Sequence, residues 1–361
     1  MKIKTLKIRN FRNIENTQVD FNGQMNVIYG KNAEGKTNIL EALWLFTGIK
    51  SFRGAKNDEM VKFGEKSFEN EILFFEDGRN QTAKIKYDEG KLGVFLNDNK
   101  QQSKNRLLGK ICGVIFSPSD LDLISSGPSE RRKFIDSAVC QLYPNYAQTL
   151  KKYNLAVRQR NTVLKDIVRH PELDAIIEAY EAEIVRAGLP IIKYRQRFLQ
   201  LLSKHLNAIY EGISNGREKI EAEYETKAGT EPKEFLKELQ KSRMRDAQTL
   251  STSVGPHRDN LRILINGYEA RNFGSQGQKR SAAITLKLAE AEVLKEIIGR
   301  EPIILLDDVM SELDAARQKY IINHIKEKQV FITCCDPSNI KGLDNENIIR
   351  VSGGKIIEGK S

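Results

Sequence analysis

The segment Gly30-Lys31-Asn32-Ala33-Glu34-Gly35-Lys36-Thr37 has the make-up of a phosphate cradle. Gly30 and Gly35 let the backbone fold so that successive N–H groups face one anion, and a helix starting near Lys36 would add its positive end. Lys36 is the group to reach β- and γ-phosphates, and Thr37 is placed to bind Mg²⁺ through its hydroxyl. The context fits: the apolar stretch Val27-Ile28-Tyr29 precedes the loop, and Asn38 to Phe46 follows with a helical apolar face. Far along the chain, Ile303-Ile304-Leu305-Leu306 runs into Asp307-Asp308. Asp307, ending an apolar strand, is the expected second Mg²⁺-positioning group, and Asp308 the expected general base that orients an attacking water. A pair of acids can also be a plain turn or helix cap, but beside a P-loop the metal and water roles take precedence. The expected catalytic residues are therefore Lys36 and Asp308.

Between these segments lies Phe273-Gly274-Ser275-Gln276-Gly277-Gln278. Its small residues allow a backbone and the Ser275 hydroxyl to approach a γ-phosphate closely. Short Ser/Gly/Gln loops are common, and this one gains meaning from its order, ahead of a helix and then of the acidic strand. ATP contacts are expected from residues 30–37 and from Ser275, Gly277 and Gln278. Ser311-Glu312-Leu313-Asp314 follows the acids.

These segments need a scaffold. Residues 1 to about 125 read as strand-rich around one strong helix, with an antiparallel meander from Ile72 to Leu96 turning at Asp77-Gly78 and Glu89-Gly90. From about Ser129 to about residue 250, helical spacing and dense charge dominate. Ile177, Tyr180, Ile184, Ala187, Ile191, Tyr194, Phe198, Leu201 and His205 form a heptad-like seam, read as an intramolecular packing face that Pro190 interrupts and kinks. Beyond residue 251 the first domain resumes, with a strand at Leu261 to Ile265, a tight turn at Asn266-Gly267, and a strand–helix–strand order implying parallel pairing. The expected division is 1–128 for the N-terminal half of a head, 129–250 for a helical insertion, and 251–361 for the C-terminal half of the head.

The 361 residues are 40% hydrophobic, enough for a sizeable core. A formal net charge of +10 favours a polyanionic partner, although many soluble proteins are mildly basic without one. Cys112, Cys140, Cys334 and Cys335 form no C-x-x-C pair, so no zinc hook or finger is visible, and the pattern suits a reducing cytoplasm. The N-terminus alternates charged and apolar residues as a strand does, and no apolar run is long enough to span a membrane. Candidate nucleic-acid contacts are the basic run Arg131, Arg132 and Lys133, and Arg53 with Lys50 nearby, each weighed against ordinary solvated charge. His257 reads as part of a structural turn.

A P-loop, a Ser-x-Gly-Gln loop and an acid-terminated strand, in this order, are similar to the ABC-type ATPases, which close as dimers around ATP. The resemblance narrows further. Leu6 to Ile14, Gly30 to Ala42, Ser51-Phe52-Arg53, Phe116 to Leu121, Gly127 to Asp136, Gly255 to Asp259 and Leu305 to Asp314 follow the motifs and order of the RecF family of bacterial recombination and gap-repair ATPases. The resemblance implies an α/β fold: an ABC-type P-loop ATPase head with mixed sheets and an inserted helical second domain. It also implies ATP and Mg²⁺ as cofactors, an ATP-dependent homodimer, and weak DNA-stimulated hydrolysis. The family's partners would be single-stranded and duplex DNA at gap junctions and mediators of the RecO and RecR type, with loading of the RecA recombinase as the outcome. The implied location is cytoplasmic and nucleoid-associated. Two positions depart from the pattern: Ser119 stands where the family often has Glu, and Cys334 or Cys335 replaces the switch His of many ABC-type ATPases.

Three other readings carry less weight. A transporter ATPase subunit does not account for the helical insertion or for Phe11-Arg12-Asn13-Ile14. A chromosome tether needs a longer insertion and zinc-hook cysteines. A GTPase needs an Asn-Lys-x-Asp motif, which the chain lacks.

Overall fold

A computed structural model describes residues 1–167, 170–214, 216, 218–339 and 346–360. In chain order it begins with β1 (Lys2–Phe11), β2 (Ile14–Asp20) and β3 (Met25–Tyr29), which leads into α1 (Lys36–Leu45). β4 (Ser67–Glu76), β5 (Arg79–Asp88), β6 (Lys91–Leu96) and β7 (Asn99–Lys100) follow, then β8 (Gly113–Phe116) and the short α2 (Pro118–Leu121). Next come α3 (Pro128–Leu142), α4 (Pro144–Val163), α5 (Asp174–Ser214), β9 (Ile220–Glu225), α6 (Pro232–Thr249), β10 (Asn260–Ile265), β11 (Tyr268–Glu269) and α7 (Ala270–Phe273). The chain finishes with α8 (Gln276–Ile298), β12 (Ile303–Asp307), α9 (Ala315–Ile325), β13 (Val330–Cys334), β14 (Asn347–Ser352) and β15 (Lys355–Lys360).

Two compact units result. The first comprises Met1–Asp122, Ala208–Arg217 and Arg280–Ser361; the second comprises Leu123–Asn207 and Glu218–Lys279. The expected boundaries at 128/129 and 250/251 need correction. The hairpin β10–β11 pairs with β9 in a three-stranded sheet, so the segment after residue 250 folds with the second unit and carries the Ser275–Gln278 loop with it. The last residues of α5, from Ala208, belong to the first unit.

The first unit holds two six-stranded sheets. One is antiparallel, in the order β2-β1-β4-β5-β6-β7. Its strands alternate in burial, as β4 does, which is the pattern of a sheet with one covered face. The meander turns lie where the sequence placed them: Asp77 and Gly78, like Glu89 and Gly90, have positive φ, the geometry of tight type I′ hairpins. The other sheet has the order β15-β14-β3-β13-β12-β8, with β14, β3, β13, β12 and β8 parallel. β12 and β13 are buried at every residue, as parallel strands covered on both faces must be. Both sheets and α1 share one core that includes Ile8, Phe11, Trp44, Phe68, Leu305 and Phe331.

The second unit is mostly helical. β9, Ile-Glu-Ala-Glu-Tyr-Glu, lies inside the stretch read as dominated by helical spacing: only Ile220 of it is buried, and its partner β10 comes much later in the chain. Helix α5 runs unbroken through Pro190, with Ala187 and Ile191 buried on either side. The seam from Ile177 to Leu201 is an intramolecular packing face, since Ile177, Ile184, Phe198 and Leu201 are all buried.

Candidate functional site

The parallel sheet brings four strand ends to one edge, because parallel strands present all their carboxyl ends together. Gly30 follows β3, Asp307 ends β12, Cys334 ends β13 and Ser117 follows β8. The P-loop closes this edge and its backbone depends on two glycines. A Cβ on Gly30 would lie 2.2 Å from the Val351 carbonyl oxygen. Gly35 has φ 106°, and a Cβ there would sit 2.9 Å from Asn13 Oδ1. Asn13 braces the loop: its amide donates to the Ala33 carbonyl at 3.2 Å, and its oxygen accepts from Asn38 at 2.7 Å.

Lys36 opens α1 and is buried. Its ammonium donates back to the Gly30 carbonyl at 2.7 Å and to the Lys31 carbonyl at 3.1 Å, so the charge is held over the loop it would share with a phosphate. Lys31, Asn32 and Ala33 are exposed at the tip, and Glu34 lies half-buried beside them. The Thr37 hydroxyl donates to Asp307 Oδ1 at 2.8 Å. Thr333, from β13, donates to the same oxygen at 2.9 Å. Burial pushes the Asp307 carboxyl above its ordinary range, and the two threonine hydrogen bonds oppose that push. Asp308 has φ 50°, an αL conformation in a non-glycine residue, and its N–H donates to Thr333 Oγ1 at 2.9 Å. This turn leaves the Asp308 side chain half-buried. The Ser311 hydroxyl donates to the Asp308 carbonyl at 2.7 Å, fixing the turn that leads to Asp314, which caps α9.

Several positions gain meaning only from the three-dimensional arrangement. Glu41, on α1, is fully buried. Arg12 grips it with a two-nitrogen fork, both contacts 2.8 Å, and the Ser51 hydroxyl donates to it as well. Arg53 Nη1 lies 3.7 Å from Glu41 and donates to Asn38 Oδ1 at 3.0 Å. Arg53, expected as a DNA contact, therefore packs against the helix of the P-loop. Cys334 is buried, whereas Cys335 is exposed with its sulfur 3.8 Å from the Lys36 ammonium and 3.1 Å from Asn32 Oδ1. At the departure near β8, Ser119 Oγ lies 2.8 Å from Ser117 Oγ, within a capping box that Ser117 makes with Asp120.

The Ser275–Gln278 loop belongs to the second unit. The Ser275 N–H donates to Gln278 Oε1 at 2.7 Å, and the Gln278 N–H donates to Ser275 Oγ at 3.2 Å. This reciprocal pair caps the first turn of α8 and holds Ser275 exposed at a helix N-terminus, the end that favours anions. Gly277 is half-buried in the same turn.

The basic run divides. Arg131 is 3% exposed, and all three of its guanidinium nitrogens are hydrogen-bonded, to Asn260 Oδ1, Ser126 O and Ile124 O. It is a structural arginine, and its expected role as a DNA contact is corrected. Arg132 is half-buried and Lys133 is exposed.

The family described as RecF/RecN/SMC N terminal domain matches residues 2–356. The DNA replication and repair protein RecF of Agathobacter rectalis is 40% identical over 335 residues, 92% of each chain. Among solved structures, the recombination mediator protein RecF-ATPrS in the RecFOR pathway aligns with a TM-score of 0.91 at 38% identity, covering 99% of this chain and 98% of that one. An SMC head bound to the C-winged helix domain of ScpA aligns with a TM-score of 0.57 at 16% identity, covering 99% and 97%, a likeness of fold.

Proposed function

The chain belongs to the RecF family, and from that membership and its strand-end site we propose that it is a DNA-binding ABC-type ATPase that dimerises with ATP on DNA. The observation that carries the nucleotide reading is the 2.8 Å contact between Thr37 Oγ1 and Asp307 Oδ1, which joins the P-loop to the acid-ended strand. Residues 30–37 wrap the phosphates with backbone N–H groups, and Lys36 turns its ammonium from the loop carbonyls to the β- and γ-phosphates. Thr37 and Asp307 offer two hard oxygens, the donor type that suits Mg²⁺. Among the described residues no group of three or more His, Cys, Asp or Glu side chains is placed to hold a metal. Held by Thr37 and Asp307, Mg²⁺ would supply positive charge to offset that of the phosphates. Asp308, oriented by its αL turn, holds the attacking water and accepts its proton.

Ser275, Gly277 and Gln278 act in trans. The exposed N-terminus of α8 closes over the γ-phosphate held by a second copy, so one ATP joins two chains. Hydrolysis removes that link and opens the pair. DNA binding is largely to the phosphate backbone, independent of sequence and sensitive to salt. The relatives' role in replication and repair, carried to this chain, makes it a switch that works with RecO- and RecR-type mediators at gap junctions and supports RecA loading. Its place is the cytoplasm, at the nucleoid. No helix among the described residues is long and apolar enough to cross a membrane.

Fluorescence anisotropy of a labelled duplex tests the link between nucleotide and DNA. ATP should tighten binding about tenfold for the native chain and leave Lys36→Met unchanged. Equal DNA affinity with and without ATP in the native chain would contradict the switch.

A further inference from the structure

A cavity of about 240 Å³ lies wholly within the second unit, where α3, α4 and α5 meet the turn at Gly255-Pro256-His257. Neither the P-loop nor the Ser275–Gln278 loop lines it. Its wall carries three cations, Arg132 and Lys133 on α3 and Arg195 on α5, against one carboxylate, Asp136.

That carboxylate is already committed. Asp136 Oδ1 accepts from Arg195 Nε at 2.9 Å, and Oδ2 accepts from Arg195 Nη2 at 3.0 Å. The Tyr146 hydroxyl also donates to Asp136, and Arg195 Nη1 donates to the Pro256 carbonyl at 2.6 Å. The Arg195–Asp136 pair is thus closed on itself, a bidentate ion pair in the pocket floor. His257 adds no charge. Its Nε2–H donates to the Thr252 carbonyl at 2.9 Å, so Nδ1 accepts from the Tyr153 hydroxyl at 2.6 Å, and burial holds its pKa at about 4.

The cations left over are Arg132 and Lys133. Arg132 Nη1 donates to the Asp259 carbonyl at 2.8 Å, while Nε and Nη2 have no hydrogen-bond partner among the described residues. Burial, and then the nearby positive charge of Arg195, push this guanidinium below its ordinary range. A half-buried guanidinium with two unpartnered nitrogens and cationic neighbours can receive an anion's oxygens without first breaking a protein hydrogen bond. Lys133 pairs with Glu130 at 2.8 Å, but both side chains are largely exposed, and surface pairs of this kind are weak and easily exchanged. Ser129 and Asn154 also line the pocket. The two free nitrogens of Arg132 and the exposed Lys133 ammonium, in an excess of positive charge, suit a phosphate, which brings more acceptor oxygens and more negative charge than a carboxylate.

We propose that this pocket seats one phosphate group, bound by Arg132 and Lys133 above the closed Arg195–Asp136 pair. The phosphate can belong to a DNA backbone, which rests on the DNA-binding reading above, or be free. The pocket itself stands on the second unit alone.

The test uses the full chain with Arg132→Gln and, because Lys133 is exposed and safe for folding, Lys133→Gln. Duplex and single-stranded DNA are titrated without nucleotide across a salt series. Inorganic phosphate is titrated by ³¹P line broadening with every chain also carrying Lys36→Met, which silences the P-loop. A DNA affinity about tenfold weaker in each variant, with the log–log salt slope reduced by about 1, places a backbone phosphate in the pocket. Unchanged DNA affinity with lost phosphate broadening places a free phosphate there. Both titrations unchanged in both variants would overturn the proposal. A native chain that binds no DNA would refute the DNA-binding function, while the phosphate titration would still decide the pocket.

Discussion

His257 shows how burial settles the role of a single side chain. Its ring is held between the Tyr153 hydroxyl and the Thr252 carbonyl, and its folded pKa of about 4 lies below the ordinary value of 6.5. The unfolded chain therefore binds a proton that the folded chain refuses between those two values. Stability from this group is fully present above about pH 6.5 and is lost as pH falls towards 4, by up to about 3 kcal/mol. Urea unfolding at pH 7 and pH 4.5 should thus show a larger loss for the native chain than for His257→Asn, by about 2 kcal/mol. Parallel losses in the two chains would contradict the neutral, buried histidine. Reading His257 as part of a structural turn agrees with this geometry. The sequence gives no sign of the Tyr153 hydroxyl, which lies on a helix distant along the chain.

The helices of the second unit are joined by ions as well as by apolar contacts. Arg160 on α4 is fully buried; it donates to Glu181 on α5 at 3.0 Å and to Asp246 on α6 at 2.8 Å. Arg243 on α6 adds a second contact to Glu181 at 2.7 Å. Removing Arg160 while both carboxylates stay buried leaves charge uncompensated, so Arg160→Met should cost about 3–5 kcal/mol by chemical denaturation. A loss under about 1 kcal/mol would mean that water reaches the cluster. Dense charge between residues 129 and 250 is easily read as solvated helix faces, and in part it points inward. The same separation along the chain hid β9, whose short acidic alternation makes sense only beside β10. In contrast, the meander, α1 and the buried strands β12 and β13 were legible because their signals are local: paired turn residues, helical spacing and unbroken apolar runs. The candidate site was legible for a related reason. Its glycines, Lys36, Thr37 and Asp307 sit in short motifs, while the Arg12–Glu41–Ser51 brace joins three separate segments and could be noted only as family-like residues.

On the proposed function, the chain carries one half of an ATP site and the complementary half of another. The first unit carries Lys36, Thr37, Asp307 and Asp308, and the second carries the exposed cap at Ser275. On that proposal the division serves a dimer in which each chain supplies what its partner lacks. The formal charge of +10 works against self-association, and an anionic ligand shared between copies offsets it. Dimerisation should therefore need ATP and gain from DNA. Ser275→Arg should still bind ATP on its own P-loop, because the change lies in the other unit, but an arginine at the cap would fill the space a γ-phosphate must enter. The most direct test is molecular mass by light scattering, without nucleotide, with ATP, and with ATP plus duplex DNA. The native chain should double from 41.1 kDa with ATP, and more completely with DNA, while Ser275→Arg stays monomeric. A native chain that binds and hydrolyses ATP yet remains at 41.1 kDa throughout would contradict the account.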